Sequence, residues 1–267
     1  MLVVVGGGAV RVGQAIARRH LRYLETIAVN CDARVQELDE FDRRVYLGPQ
    51  GAPEQGTSGS PAVAGRLARA AEPALDRLFD GSTFVTIVAS LGGGAGTGAL
   101  PYVLEAATRA AEFVSVFVIK PFECEGDRRA VADRALAHLH FLDGFVEKQE
   151  SKRATLTILD NEILARKNRG LPIAKVSDHW AQLVSNHIEQ SFVAPIEAAV
   201  EASRLGRELP PTPETVILPA LEADAGPIRV PSPAEPPMPM PPGLDAGDIA
   251  ELTIEILPTD GGPAVLR

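Results

Sequence analysis

Cysteine, histidine and aromatic residues are scarce in this 267-residue sequence. It contains two cysteines, five histidines, nine phenylalanines, three tyrosines and one tryptophan. Cys31 and Cys124 form no CxxC pair, which argues against a disulfide scaffold and favours a reduced, cytoplasmic protein. The histidines form no HExxH motif, and His179 and His187 have no paired metal-ligand spacing, so the sequence predicts no metal site.

Positive charge and long apolar runs are also lacking. The 26 Lys and Arg residues are outnumbered by 35 Asp and Glu, giving a net charge of −9, whereas a nucleic-acid surface needs clustered positive charge. No apolar run reaches the roughly 18 residues that a membrane span needs. The N-terminus begins with the apolar run LVVVGGG, without the basic region and cleavage site of a signal peptide. We therefore expect a cytoplasmic protein that neither binds nucleic acid nor inserts into a membrane.

Short apolar strands alternate with helices over the first two hundred residues. Such a pattern is typical of a parallel sheet covered by helices on both faces. The sequence therefore predicts an α/β fold with a Rossmann-like, doubly wound, mostly parallel sheet and a long C-terminal central helix. We predict strands over 2–5, 26–29, 43–46, 84–89, 113–119 and 154–159, and helices over 13–24, 61–79, 97–111, 127–142 and 173–204.

The composition changes near residue 206. Twelve prolines lie between residues 209 and 243, and proline both removes amide donors and favours extended chain. We predict a domain over 1–205, a proline-rich linker or disordered segment over 206–247, and a last segment over 248–267. An extended segment that lies along the domain surface is the alternative for the linker. The alternating run DIAELTIEILP in the last segment predicts one strand, added to a sheet edge of this chain or of a partner.

Two glycine-rich loops each follow a predicted strand and precede a helix. The first contains Gly6, Gly7 and Gly8, and the second, residues 92–98, reads GGGAGTG. Glycine lets the backbone approach a ligand closely, and a helix N-terminus offers free N–H groups and partial positive charge. The second loop lacks the GK[ST] of a Walker A motif. Each loop alone fits either a tight turn or a phosphate cradle built from backbone amides.

A dinucleotide-binding oxidoreductase is an alternative from another class. The first loop departs from the GxGxxG fingerprint because Arg11 occupies the third glycine position. Asp32, after the second strand, nonetheless supplies the acidic residue that such folds place at a ribose. The second glycine loop and the lack of an evident catalytic His or Tyr motif argue against an NAD(P) enzyme.

Six motifs in order resemble the tubulin/FtsZ GTPases. GGGAGTG is similar to the family's GGGTGTG signature loop, and the resemblance covers residues 2–190. The other five segments are GGG at 6–8, AVNCDAR at 28–34 (similar to AVNTDAQ), GTSGSPAVAG at 56–65, KPFECEGDRR at 120–129 (similar to TKPFxFEGxxR), and LTILDNEIL at 156–164 (similar to IVIPNDxLL). KVSDHWAQLVSNHIEQ at 175–190 resembles the start of the family's central helix.

The resemblance implies a site for GTP or GDP, with Mg²⁺ accompanying GTP. Asn161 and Asp178 would read guanine, because a carboxylate accepts from the N1–H and 2-amino donors that adenine lacks. Glu125 and Arg129 would lie at the ribose. The α- and β-phosphates would be cradled by the two glycine loops: Gly92, Gly93, Gly94, Ala95, Gly96, Thr97 and Gly98, with Gly6, Gly7 and Gly8. The γ-phosphate would be approached by Gly56, Thr57, Ser58, Gly59 and Ser60. The predicted lining is completed by Arg11, Asp32 and Pro121.

The sequence departs from the family pattern in the cradle and after the central helix. Ala95 replaces a threonine, Arg11 stands where FtsZ usually has asparagine, and Ser58 and Ser60 replace a glycine and an asparagine. The carboxylate-rich loop that activates water in the next subunit is not found after the central helix. The resemblance therefore implies a GTPase that is weak or is completed in trans by a partner subunit.

The implied partners are a guanine nucleotide and an FtsZ-family or identical chain. The last five residues, PAVLR, resemble the peptide with which FtsZ tails engage membrane-tethering proteins, so they imply a partner-binding peptide. A non-catalytic interaction scaffold of the same fold remains an alternative, since Ala95, Ser58 and Ser60 depart from the family pattern in the phosphate loops.

Overall fold

Six parallel strands form the centre of the fold. The computed structural model of the chain describes residues 1–48, 56–146, 153–168, 171–205 and 256–258. The strands are β1 (Leu2–Val5), β2 (Thr26–Asn30), β3 (Arg43–Tyr46), β4 (Phe84–Ser90), β5 (Phe113–Lys120), β6 (Arg153–Asp160) and a short antiparallel β7 (Ile256–Pro258). Their order across the sheet is β6-β5-β4-β1-β2-β3-β7. The predicted parallel sheet is confirmed, and each predicted strand is found to within two residues.

Helices cover both faces of the sheet because successive strand side chains point to opposite faces. Val3 and Val5 of β1 belong to one buried cluster, and Leu2 and Val4 belong to the other. The first cluster includes residues from α2 (Pro61–Ala70), α3 (Glu72–Leu78), α4 (Gly94–Ala110) and α5 (Asp127–Val146); the second includes residues from α1 (Gly7–Ala17), α6 (Asn161–Lys167) and α7 (Ile173–Ile188). The doubly wound architecture is confirmed.

Several helix boundaries differ from the prediction. α1 begins at Gly7 rather than at residue 13, because β1 ends at Val5 and Gly6, with a φ of +83°, turns the chain directly into the helix. It ends at Ala17, ahead of His20 and Tyr23, which have positive φ. The predicted helix over 61–79 is two helices, since Pro73 can occupy only the first turn of a new helix. α4 begins three residues before the predicted start, at Gly94.

The predicted long helix is present and contains one irregular turn. α7 continues through a π-helical turn, Glu189–Val193, into α8 (Ala194–Arg204). β7 provides a strand within the last predicted segment, and it pairs antiparallel with β3. The predicted linker over 206–247 lies outside the described residues. None of the described helices combines the length and apolar composition needed to cross a membrane.

Candidate functional site

The two glycine loops follow neighbouring strands at the point where the strand order reverses. From β1 the chain continues outward to β2 and β3, whereas β4, β5 and β6 continue in the other direction. Ligands of doubly wound sheets lie at the carboxyl ends of the strands, in the crevice at this switch point. The sequence thus places both loops where such a fold has its binding crevice.

The backbones of the two loops are in direct contact. A Cβ atom on Gly6 would lie 2.5 Å from the backbone nitrogen of Gly96, and one on Gly96 would lie 2.0 Å from the carbonyl oxygen of Ser90. Ser90 is the last residue of β4, and its side chain lies between the loops. The Ser90 Oγ is 2.7 Å from where a Cβ on Gly8 would be. Glycines 6, 8 and 96 are therefore required by packing, and they bring two helix N-termini together. Ser90 was not among the predicted site residues.

Gly93 is different because the space beside it is open. It is the N-cap of the 17-residue α4 and gives the helix no side-chain cap. A Cβ on Gly93 would meet no atom within 4 Å. At α1 the N-cap is Gly6, again without a side-chain cap, and Gly7 and Gly8 are exposed. Each helix N-terminus carries unpaired N–H groups and about half a positive charge, so this edge of the sheet favours an anion.

The loop over residues 56–60 packs against the start of α4. The Thr57 hydroxyl lies 1.9 Å from where a Cβ on Gly94 would be, and the Ser60 backbone nitrogen lies 3.1 Å from it. Ser58 has a φ of +48°, between Gly56 and Gly59, which also have positive φ. This loop therefore forms a second wall of the crevice, beside the open space at Gly93.

The β4 loop also contacts the β5 loop. The Gly92 N–H donates a 2.9 Å hydrogen bond to the Thr97 hydroxyl, which fixes the turn. A Cβ on Gly92 would lie 2.8 Å from Pro121 and 2.5 Å from the Arg128 carbonyl oxygen. A Cβ on Gly98 would lie 2.0 Å from the Pro61 carbonyl oxygen, so Gly98 serves helix packing. Ala95 is buried among the first-turn residues of α4.

Arg129 is held by an aspartate that the sequence did not single out. Its guanidinium donates two hydrogen bonds to the Asp160 carboxylate, at 2.9 and 2.6 Å, and a further one to the Pro121 carbonyl oxygen. Asp160 also accepts from the backbone N–H of Glu162 at 2.9 Å, which caps α6. Glu125 accepts from the Phe122 N–H at 3.0 Å. The start of α5 and the end of β6 are thus joined by a part-buried ion pair.

Asp160→Asn is expected to lower the free energy of unfolding by about 3 kcal/mol at pH 7, since it leaves the Arg129 charge uncompensated. Burial raises the pKa of Asp160, but the hydrogen bonds and charge of Arg129 and the backbone N–H groups outweigh it and hold that pKa below its usual 3.8. A lowered pKa in the folded state stabilises the protein above the unfolded pKa of about 3.9. Urea unfolding of the wild type and the variant should show the full difference at pH 7, and this difference should shrink as the pH falls below about 4.

Glu105→Gln is the matched control, because Glu105 forms an exposed ion pair with Arg109. This substitution should lower the free energy of unfolding by less than about 1 kcal/mol, both at pH 7 and below about pH 4. Equal costs for the two variants would contradict the structural role assigned to Asp160.

The predicted guanine-reading residues lie on α6 and α7. The Asn161 side-chain oxygen accepts a 2.8 Å hydrogen bond from the Trp180 indole, which joins these helices. Asp178 is exposed on α7 and pairs with Lys175 at 2.9 Å. When LTILDNEIL is aligned letter by letter with IVIPNDxLL, Asp160 stands opposite the asparagine and Asn161 opposite the aspartate. That alignment is the signal by which the sequence could have singled out Asp160.

Asp32 and Arg11 lie at the other side of the site. Arg34 donates a 2.5 Å hydrogen bond to the Asp32 carboxylate and lowers its pKa. The same carboxylate caps the following turn by accepting from the Arg34 N–H. Asp32 is therefore used within its own loop and lies against Gly56, where a Cβ would be 3.4 Å away. Arg11 is exposed on α1. Across the described residues, no group of three or more His, Cys, Asp or Glu could hold a metal ion.

Fold and site together define a doubly wound α/β domain with an anion-favouring crevice at its switch point. The model of the Tubulin/FtsZ family, GTPase domain, matches residues 2–147, more than half of the chain. The chain belongs to the tubulin/FtsZ family.

Comparisons with individual proteins agree with this assignment. The chain is 34% identical over 139 residues to cell division protein FtsZ 1 of Archaeoglobus fulgidus, covering 52% of this chain and 38% of that protein. It is 30% identical over 173 residues to cell division protein FtsZ of Buchnera aphidicola subsp. Schizaphis graminum, and this alignment covers 64% of this chain and 43% of that protein. The chain thus spans about two fifths of the length of these curated relatives.

Solved structures show the same fold. An empty FtsZ dimer from M. jannaschii aligns with a TM-score of 0.57 at 24% identity, covering 70% of this chain and 52% of that one. CetZ2 from Haloferax volcanii, a GTPgS bound protofilament, aligns with a TM-score of 0.55 at 21% identity, covering 76% and 60%.

Proposed function

We propose that this chain binds GTP or GDP in the crevice between the loops after β1 and β4. The observation that carries the proposal is the convergence of two uncapped helix N-termini on the open space beside Gly93. Membership of the tubulin/FtsZ family supports a guanine nucleotide as the ligand. Arg11 in place of the third glycine of the GxGxxG fingerprint disfavours a dinucleotide.

Backbone N–H groups would hold the phosphates. Gly93 to Thr97 with Gly7 and Gly8 would bind the α- and β-phosphates, and Thr57 to Ser60 would approach the γ-phosphate. Hydrogen bonds to a charged group are worth about 1.5–3 kcal/mol each, so a few of them suffice without a lysine. Mg²⁺ would be carried by the phosphate oxygens and water, as this ion usually is, rather than by a protein cage.

The base would lie between the β6 loop and α7. Asp178 presents an exposed carboxylate, which accepts hydrogen bonds from the N1–H and 2-amino groups of guanine. The Arg129–Asp160 pair would act as a strut beneath this wall rather than as a free ribose contact.

Asp178→Ala is expected to reduce the ratio of GTP to ATP affinity by about tenfold or more, since one charge-assisted pair is worth about 1.5–3 kcal/mol. Competition binding with a fluorescent guanine nucleotide measures both affinities. Glu201→Ala, an exposed acidic residue at the far end of the same long helix, is the control and should leave the ratio unchanged. An unchanged ratio in Asp178→Ala would show that the base is read elsewhere.

Hydrolysis is expected to need a partner subunit. The sequence continues from α8 into the proline-rich segment 206–247 and offers no carboxylate-rich loop there. A general base contributes about 10²–10⁴-fold, so adding an FtsZ-family partner should raise phosphate release by that factor. Phosphate release should be measured with the chain alone, with the partner alone, and with both. Fast turnover by the chain alone, unchanged by the partner, would contradict completion in trans. By this account the chain is a nucleotide-dependent partner of an FtsZ-like assembly in cell division.

A further inference from the structure

A second concave surface lies at the sheet edge opposite to the glycine loops. It is a half-open cavity of about 330 Å³ beside the N-terminal ends of β1 and β4. Three aromatic side chains, Tyr23, Phe84 and Phe192, line it together with Ile188 and Ile196. Phe192 packs against Phe84 with ring centroids 4.9 Å apart and the rings tilted by 37°, so the irregular turn after α7 packs directly on the sheet edge. Turns of π type are often found at functional sites.

An apolar stripe continues from this cavity along α8. Ile188, Phe192, Ile196 and Val200 follow one another at four-residue spacing, which places them on one side of the helix. Ile188 is buried, Phe192 and Ile196 are half-buried, and Val200 is 36% exposed. No residue of α8 is buried. An amphipathic helix is stabilised by covering such a face, and within the described residues this one is uncovered.

The segment that follows α8 in sequence supplies a matching apolar run. The first three consecutive large aliphatic residues after Leu205 are Val216, Ile217 and Leu218, in TVILPAL. Ten residues separate Leu205 from Val216, and the eleven steps between their Cα atoms span at most about 40 Å. From Leu205 back to Phe192 is 13 residues of helix, about 20 Å. The run therefore reaches the whole stripe and the cavity beyond it.

We propose that residues 216–221 of the same chain dock along the α8 stripe and into the cavity lined by Phe84, Phe192 and Ile196. Tethering favours this occupant, because a short connection gives an effective concentration in the millimolar range, above that of any second copy in solution. The remaining tail is long enough to return to β3, where Ile256–Pro258 pairs with the sheet. The proposal does not depend on nucleotide binding at the opposite edge.

Hydrogen exchange of the full chain tests the contact. Ile217→Asp with Leu218→Asp should make the α8 amides exchange about tenfold faster or more than in the wild type, because α8 loses its cover. The matched control, Ile228→Asp with Val230→Asp, places the same charges further along the tail and should leave α8 unchanged. Equal exchange in all three proteins would overturn the proposal. So would wild-type protection of α8 that rises with protein concentration, since that result assigns the stripe to a second copy.

A cysteine pair tests the same contact by a method that does not depend on amide hydrogen exchange. Cys31 is buried and its pKa is raised to about 12, so it stays unreactive, and the exposed Cys124 is replaced by serine. In this background Val200→Cys with Ile217→Cys should form an intrachain disulfide about tenfold faster than Val200→Cys with Val230→Cys, because docking holds the first pair within disulfide distance. Equal rates, or a disulfide mainly between chains, would overturn the proposal.

Discussion

Gly93→Val is expected to abolish guanine-nucleotide binding while leaving the fold intact. Gly93 has extended backbone, with φ −108° and ψ −174°, which valine adopts without strain. A Cβ there meets no protein atom within 4 Å, so the added side chain fills only the space proposed for the phosphates. Losing two or more charge-assisted hydrogen bonds should weaken GTP binding by at least about 100-fold. Calorimetric titration measures the affinity, and thermal unfolding should give a Tm close to that of the wild type.

Gly81→Ala is the control for this variant. Gly81 lies in the turn before β4, at the opposite edge of the sheet, with a φ of +76° and open space around it. Alanine there should lower stability by about 1 kcal/mol through backbone strain and should not change GTP affinity. If Gly93→Val bound GTP as tightly as the wild type, the phosphates would have to lie elsewhere.

Gly96→Ala is expected to have the opposite effect and to destabilise the fold by about 3 kcal/mol. Alanine favours a helix interior over glycine by about 1 kcal/mol, so intrinsic propensity alone would stabilise α4. The new Cβ would lie 2.0 Å from the carbonyl oxygen of Ser90, and backbone cannot rotate away as a side chain does. Overpacking of this kind typically costs about 1–3 kcal/mol, and the two loops would have to separate. Urea unfolding measures the difference.

Gly7→Ala is the matched control, since Gly7 also lies in the first turn of a helix. Its nearest neighbour would be the Asn30 amide nitrogen, 3.9 Å from the new Cβ, an ordinary contact. We expect the free energy of unfolding to stay unchanged or to rise by up to about 1 kcal/mol. A similar loss of stability in Gly96→Ala and Gly7→Ala would contradict the direct contact between the two loops.

The fold could be predicted because the strands β1, β2, β4 and β5 are short, mostly apolar and almost fully buried. The four residues of β1 are all buried, and they divide between two cores as the alternation requires. Helix starts were less predictable. Glycine has low helix propensity, so propensity alone places the helix starts after Gly7 and Gly94 rather than at them.

The glycine loops of the site could be predicted, but the side chains between them could not. Ser90 lies between two loops that are about 80 residues apart in sequence, and no local pattern encodes that contact. Arg129 and Asp160 pair across 31 residues, from α5 to the end of β6. The resemblance implies a ribose contact for Arg129, and the sequence contains no information about which carboxylate its guanidinium meets.

Calorimetric titration of the full chain with GTP, GDP, ATP and NAD tests the central claim most directly. The account predicts that GTP and GDP bind at the crevice beside Gly93 and that ATP binds at least about tenfold more weakly, because adenine lacks the donors that Asp178 accepts. Equal affinity for GTP and ATP, or binding of NAD alone, would contradict it.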